Sequence, residues 1–351
     1  MNRRLFAVLL AALAISATRR RAVDPVSYPA IDAIARKAVA SGVPGVSIAV
    51  MRGDTLLLTR GYGLMNVETR EPVHHDSVYQ IGSITKQFTA AAIMKLVEQG
   101  KLQTSDRLRT YIPELATQFD PVTIEHLLTH TSGIFEYNSV LITAWESKSE
   151  SEMLSLIGSR NLLFAPGSYW SYSNSNYYLL GMIIERVSGV PYPEFLDQNF
   201  FLPLGLTQTS YCRAPVPAGY YRDPTGVFPI QPADMSLLFA AGAICSTTED
   251  LVRWNRALTQ GVAVAPASYA RMTTPYGLSN GLIVGYGYAL KLDFLDGHPR
   301  VWHNGEVLGF DAQLAWYPDH DLAIAVLVNL TDLRREFASE VSDAVARELL
   351  K

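Results

Sequence analysis

Ser83-Ile84-Thr85-Lys86 sets a hydroxyl and an amine three residues apart. On a helix that spacing puts both on one face, so the amine can reach the hydroxyl. An alcohol is a poor nucleophile at neutral pH until a base takes its proton, and a neutral amine can be that base. Gly82 suits a tight turn into the helix. Ser83 at the helix start would lie at the positive end of the dipole, which favours a developing oxyanion. The motif alone is weak. A Ser-x-x-Lys is expected by chance about once in a chain of this size, and a capped helix with a solvated lysine explains it equally well. Tyr172-Ser173-Asn174 is a second candidate. A tyrosine whose pKa is drawn down by a nearby ammonium can relay protons, and Asn174 can hold the lysine amine or donate to a substrate carbonyl. By itself the triplet reads as a turn. The third is His303-Asn304-Gly305, where a backbone N–H just past the glycine can point into a cleft unobstructed. A lone histidine there is more often structural.

The elements that must position these residues can be read coarsely. Ile31 to Ala40 reads as a helix. Val46 to Met51 and Thr55 to Gly61 read as strands joined at Arg52-Gly53-Asp54, a hairpin signal. Near the other end Tyr286 to Phe294, Gly309 to Tyr317 and Leu322 to Leu330 are strand-like, and a helix follows over Leu333 to Leu350. Between them the pattern from Ser83 to about Arg256 is mostly helical. Ile84, Phe88, Ala91, Ala92 and Leu96 share one helical face, with Gly100 as terminator. Short connections favour antiparallel pairing. The expectation is an α+β fold: one discontinuous sheet domain, residues 30–82 and 260–351, and a helical lobe over 83–259 that carries the first two motifs. A cleft between two such lobes suits a small-molecule site.

The 351 residues are 48% hydrophobic and 18% charged, with net charge -4. No basic surplus points to nucleic acid. No Walker loop, dinucleotide fingerprint or haem attachment pair is present. Arg3 and Arg4, the apolar run Leu5 to Ile15 and the small residues Ser16 to Thr18 follow the order of a secretory signal peptide. The run is too short for a membrane span, which needs about 20 residues. Arg19, Arg20 and Arg21 argue against easy export. Residues 1–21 are thus expected to be a signal peptide, and the protein periplasmic or secreted. Cys212 and Cys245 could pair in an oxidising compartment, but two thiols make no disulfide framework, and free buried cysteines are the expectation.

Taken together, the order and separation of the three motifs resemble those of the serine β-lactamase and penicillin-binding-protein superfamily. The Tyr-x-Asn form resembles its class C β-lactamase-like branch, which also holds D-alanyl-D-alanine carboxypeptidases, D-aminopeptidases and family VIII carboxylesterases. Gly61-Tyr62-Gly63, the stretch Ile124 to Gly133, Pro166-Gly167, Asn176-Tyr177 with Leu179-Leu180-Gly181, Ser246-Thr247 with Asp250-Leu251, and Gly285-Tyr286-Gly287 look like its framework. The resemblance runs from about residue 30 to the end. His126 and His130 have the spacing of two zinc ligands, with His74 or His75 at hand, but they fall in a stretch that is framework in this family, which needs no metal or other cofactor.

The resemblance implies an acyl-enzyme on Ser83, with Lys86 and Tyr172 as its proton-transfer partners. Asn174, His303, Gly305 and Glu306 would bind substrate, the last through its backbone N–H, which with that of Ser83 would form the oxyanion hole. The Lys86–Tyr172 pair is left undivided as the base, because groups in contact titrate together. Many relatives have lysine where this chain has His303. A histidine is mostly neutral at neutral pH, which weakens the case for penicillins with their carboxylate. No counterpart of the deacylating glutamate of class A lactamases is evident. The expected substrate is a small ester, amide or peptide-like molecule, with carboxylesterase or D-amino-acid peptidase activity favoured over efficient β-lactam hydrolysis. The alternatives are an acyltransferase using the same serine and a non-catalytic binder of cell-wall fragments.

Overall fold

The computed structural model describes residues 28–139, 146–212 and 218–351. The expected leader lies outside them, as do parts of the loops Glu136 to Ser151 and Ala214 to Pro232. A seven-stranded sheet is assembled from the two ends of the described chain. Its strands are β1 (Gly45–Arg52), β2 (Thr55–Asn66), β3 (Glu71–Pro72), β4 (Lys291–Leu295), β5 (His298–Val307), β6 (Phe310–Tyr317) and β7 (Leu322–Val328). The order is β4-β5-β6-β7-β1-β2-β3, and every pairing is antiparallel. The two halves join where β1 meets β7, with Val46 opposite Val328 and Arg52 opposite Leu322.

Helices cover both faces of this sheet, so β1 and β7 read as nearly continuous apolar runs rather than alternating ones. On the outer face lie α1 (Pro29–Ala40) and α6 (Phe337–Leu349), packed on Ile48, Val50, Ile324 and Val326. The inner face meets the helical lobe, whose centre is α2 (Thr85–Glu98) with α3 (Asn174–Ser188), α4 (Met235–Gly242) and α5 (Thr248–Thr259) around it. A single apolar face was expected for α2. Instead it is buried around almost its whole circumference, Thr85, Lys86, Gln87 and Thr89 included. It is the axis of the larger core, and its polar side chains find partners there. Phe88 stacks on Trp254 with ring centroids 4.0 Å apart, and the Trp254 indole N–H donates to Gln87 Oε1.

Three expectations change. The strand read over Tyr286 to Phe294 is a strand only from Lys291. Residues before it turn, with Ala289 at φ 58° and the Gly287 N–H donating to the Leu290 carbonyl. The mostly helical stretch also contributes short strands, Ser210–Tyr211 and Ile244–Ser246, which form one small sheet with Tyr79–Gln80 from just before it. That sheet overturns the expectation of free cysteines. Its register sets Ser210 opposite Cys245 and Tyr211 opposite Ile244. Cys212 and Cys245 are thereby brought together as a disulfide, Cα to Cα 5.0 Å. A pairing between strands 33 residues apart is invisible to spacing along the chain. Among the described residues no helix is long and apolar enough to cross a membrane.

Candidate active site

Ser83 does not sit in α2 itself. It lies in the 3-10 turn Gly82–Ile84 that leads into it. The turn is pinned from two sides: the Ile81 N–H donates to the Ile244 carbonyl, and the Ile244 N–H donates to Thr85 Oγ1. Gly82 has φ 49°, a left-handed conformation that a side chain would resist. A Cβ on Gly82 would also stand 2.8 Å from the Glu306 nitrogen. A Cβ on Gly305 would stand 2.0 Å from the Ile81 carbonyl oxygen and 3.0 Å from the Ser83 nitrogen. The Ser83 turn and the Gly305–Glu306 stretch of β5 thus touch backbone to backbone because both lack side chains at the contact. This brings the backbone nitrogens of Ser83 and Glu306 to one place, while the Glu306 side chain is exposed.

Lys86 is fully buried. Its Nζ donates to Ser83 Oγ at 2.9 Å, to Asn174 Oδ1 at 2.7 Å and to the Ala241 carbonyl at 2.7 Å. Asn174 is the first residue of α3, and Ala241 lies near the end of α4, just past Phe239, where the helix is interrupted at φ 37°. The amine also stands 4.9 Å from the Tyr172 ring centroid and 5.6 Å from that of Tyr177. Burial lowers its pKa to about 7, against the opposing charge of Glu136. Tyr172 goes the other way. Burial holds its phenol well above the usual value, and Glu136 adds to that. Its hydroxyl has no hydrogen-bond partner of good geometry among the described residues, though Ser83 stands close enough to oppose the rise. The ammonium was expected to draw the tyrosine pKa down; removal from water raises it instead.

His303, on β5, is buried and faces this group, its ring 6.1 Å from that of Tyr172. Its Nδ1 contacts the Asn304 carbonyl at 2.5 Å and its Nε2 contacts the Tyr286 hydroxyl at 3.0 Å. A carbonyl can only accept, so Nδ1 carries the proton and Nε2 accepts from Tyr286. Burial, then the charges of Lys86 and Lys291, push its pKa down to about 3 despite that carbonyl. His303 is therefore a neutral ring with both nitrogens engaged.

Two histidines considered as zinc ligands are occupied otherwise. His126 closes a capping box with Thr123 at the start of the short helix Ile124–Leu128. His130, at φ 58°, accepts the Ser173 N–H at Nδ1 and packs its ring 4.3 Å from that of Tyr172. Sequence reasoning missed Glu136. Its carboxylate accepts from both the backbone N–H and the side-chain Nδ2 of Asn174, the latter at 3.2 Å. Nothing in residue type or spacing marks it, since 38 residues separate the partners.

The fold is α+β, and Ser83, Lys86 and Tyr172 lie together where the helices pack on the inner face of the sheet. The chain belongs to the beta-lactamase family, whose model matches residues 31–346. It is 30% identical over 308 residues to a penicillin-binding protein of Bacillus subtilis, covering 81% of this chain and 68% of that one. Against further curated relatives it spans 59 to 63% of their length. Among solved structures, the penicillin-binding protein homologue from Pyrococcus abyssi is 29% identical with a TM-score of 0.80, over 92% of this chain and 77% of that one. A D-stereospecific amidohydrolase from Streptomyces sp. is 26% identical with a TM-score of 0.77, over 92% and 98%.

Proposed function

We propose that this protein hydrolyses small esters or amides through an acyl-enzyme on Ser83. The observation that carries the reading is the set of partners around Lys86. Asn174 Oδ1 and the Ala241 carbonyl can only accept. When Lys86 loses a proton its two remaining hydrogens stay on those oxygens, and the lone pair is left facing Ser83 Oγ. Lys86 then takes the Ser83 proton as Oγ bonds to the substrate carbonyl carbon. The carbonyl oxygen becomes an oxyanion between the Ser83 and Glu306 N–H groups. Its collapse expels the leaving group, which receives that proton from Lys86 by way of the Tyr172 hydroxyl. Water repeats the sequence on the acyl-Ser83 and frees the acid.

The charges at the site support a substrate class. A neutral His303 offers no cation to a substrate carboxylate, and Glu136 adds a negative charge beside Asn174. An acyl donor that is neutral or bears an amino group suits this better than an anionic penicillin. Similarity to a D-stereospecific amidohydrolase supports amides among such donors. A fluorophosphonate probe is expected to label the wild type covalently and to fail on Ser83→Ala. A folded wild type that takes no label and leaves a short p-nitrophenyl ester intact would end the enzyme reading. The paired cysteines favour an oxidising compartment, which supports export by the apolar leader. N-terminal sequencing of protein from the cell exterior or periplasm should then begin beyond that leader, and retention in the cytoplasm would count against it.

A further inference from the structure

Asn174 has two chemically different ends, and which end faces Lys86 decides whether the amine is held or repelled. The oxygen is at Lys86, 2.7 Å from Nζ. The amide nitrogen is at Glu136 Oε1, 3.2 Å away. Only a full carboxylate satisfies the far side, because both of its oxygens are claimed by donors. One takes the Asn174 backbone N–H; the other takes Asn174 Nδ2 and the Asn138 N–H, at 3.0 Å. Turning the Asn174 amide over would place its oxygen against the carboxylate and its N–H groups against the ammonium, a loss on both sides.

Glu136 also brings charge. Lys86 is surrounded by Ser83, Asn174, the Ala241 carbonyl and the rings of Tyr172 and Tyr177, all uncharged at neutral pH. The two nearby histidines, His130 and His303, are held neutral by burial. Glu136 is half-buried, and its negative charge opposes the effect of burial on the lysine.

We propose that Glu136 is a positioning residue of this site: it fixes the orientation of Asn174, and through it the direction of the Lys86 lone pair, while supplying a counter-charge beside the amine. This rests on the acyl-enzyme reading above and extends it. Glu136 fills a place that no residue of the three motifs fills, and it acts before the substrate arrives rather than on it.

Glu136→Gln separates the role from a structural one. A glutamine must turn an NH2 group toward one of the donors now bound, and it carries no charge. The rate of fluorophosphonate labelling at Ser83 is expected to fall about 10- to 100-fold. The acidic limb of its pH profile should move to lower pH by about half a unit to one unit, because loss of a negative neighbour favours the neutral amine. Glu136→Asp, which keeps the charge, should return the limb toward the wild-type position even if the rate stays low. A folded Glu136→Gln protein with the wild-type limb and a rate within about twofold of wild type would overturn the proposal. The same shift should appear when Lys86 is titrated directly by NMR in selectively labelled protein, which needs no reaction. A wild type that never takes the label would sink the hydrolase reading. The Glu136 proposal fails separately if the titration of Lys86 is the same in wild type and variant.

Discussion

Lys86 carries the pH dependence of the proposed chemistry. With a pKa brought down to about 7 by burial, about half of the molecules hold it neutral at pH 7. Only the neutral form can accept the Ser83 proton, so labelling or turnover should rise as pH climbs through about 7 and level off above it. Tyr172, kept protonated by burial, sets no lower limit. Lys86→Arg tests the assignment, since a guanidinium does not give up its proton in this range. A fall of about a thousandfold in the rate of Ser83 labelling is expected. An arginine variant within tenfold of wild type would exclude Lys86 as the base. The reach of Lys86 to Ser83 was legible in the spacing of the motif, because three residues make nearly a helical turn. Its pKa was not, because that depends on how completely helices from elsewhere in the chain exclude water.

Among the elements, the pairing of β5 with β6 stores a pH-dependent term close to the site. Glu306 and Asp311 are directly opposed across the two strands. Asp311 is buried, accepts the Ala338 N–H near the start of α6, and has its pKa pushed up to about 7, chiefly by burial, with Glu306 and Glu336 adding to it. The folded carboxyl keeps its proton up to about pH 7, whereas an unfolded one loses it near 3.9. Between those values the unfolded chain binds fewer protons, so stability falls as pH rises from about 4 to about 7 and the loss is complete above that. Asp311→Asn keeps an oxygen for the Ala338 N–H and cannot ionise. Its stability should gain on the wild type between pH 5 and pH 8, by at most a few kcal/mol, on the order of one per pKa unit, read by denaturant unfolding at each pH. A stability difference equal at both pH values would show that Asp311 does not titrate there. Strands β1, β2, β6 and β7 were anticipated from turn residues and apolar runs, whereas β3 and β5 were not. The false extension of β4 back to Tyr286 arose because apolar residues from 286 to 290 serve a turn packed on the core, and packing of that kind leaves no periodic signal.

At the scale of the whole molecule, the site exists because three distant segments are pressed together in the larger core, on the inner face of the sheet. Lys86 meets Asn174 across 88 residues of chain and Ala241 across 155. Part of that assembly is held covalently. Cys245 lies in the small strand whose Ile244 N–H and carbonyl hold the turn around Ser83, and its disulfide closes a loop of 33 residues. On loop entropy such a link contributes about 3–4 kcal/mol at most. Reduction, or Cys212→Ala with Cys245→Ala, should lower the melting temperature by several degrees, read by calorimetry with and without reductant. An unchanged melting temperature would mean the link adds nothing to the fold. The residue types and order of the three motifs, the helical phase that aligns Ser83 with Lys86 and the closure of one sheet by both chain ends are properties of the sequence alone, because they rest on local spacing and on patterns that survive in one dimension. The depressed pKa of Lys86, the neutral and fully engaged His303, the cysteine pair and the placement of Glu136 behind Asn174 were decided only by tertiary structure. Each depends on burial or on an approach through space between segments tens to hundreds of residues apart, and neither quantity is written in the identity of neighbours along the chain.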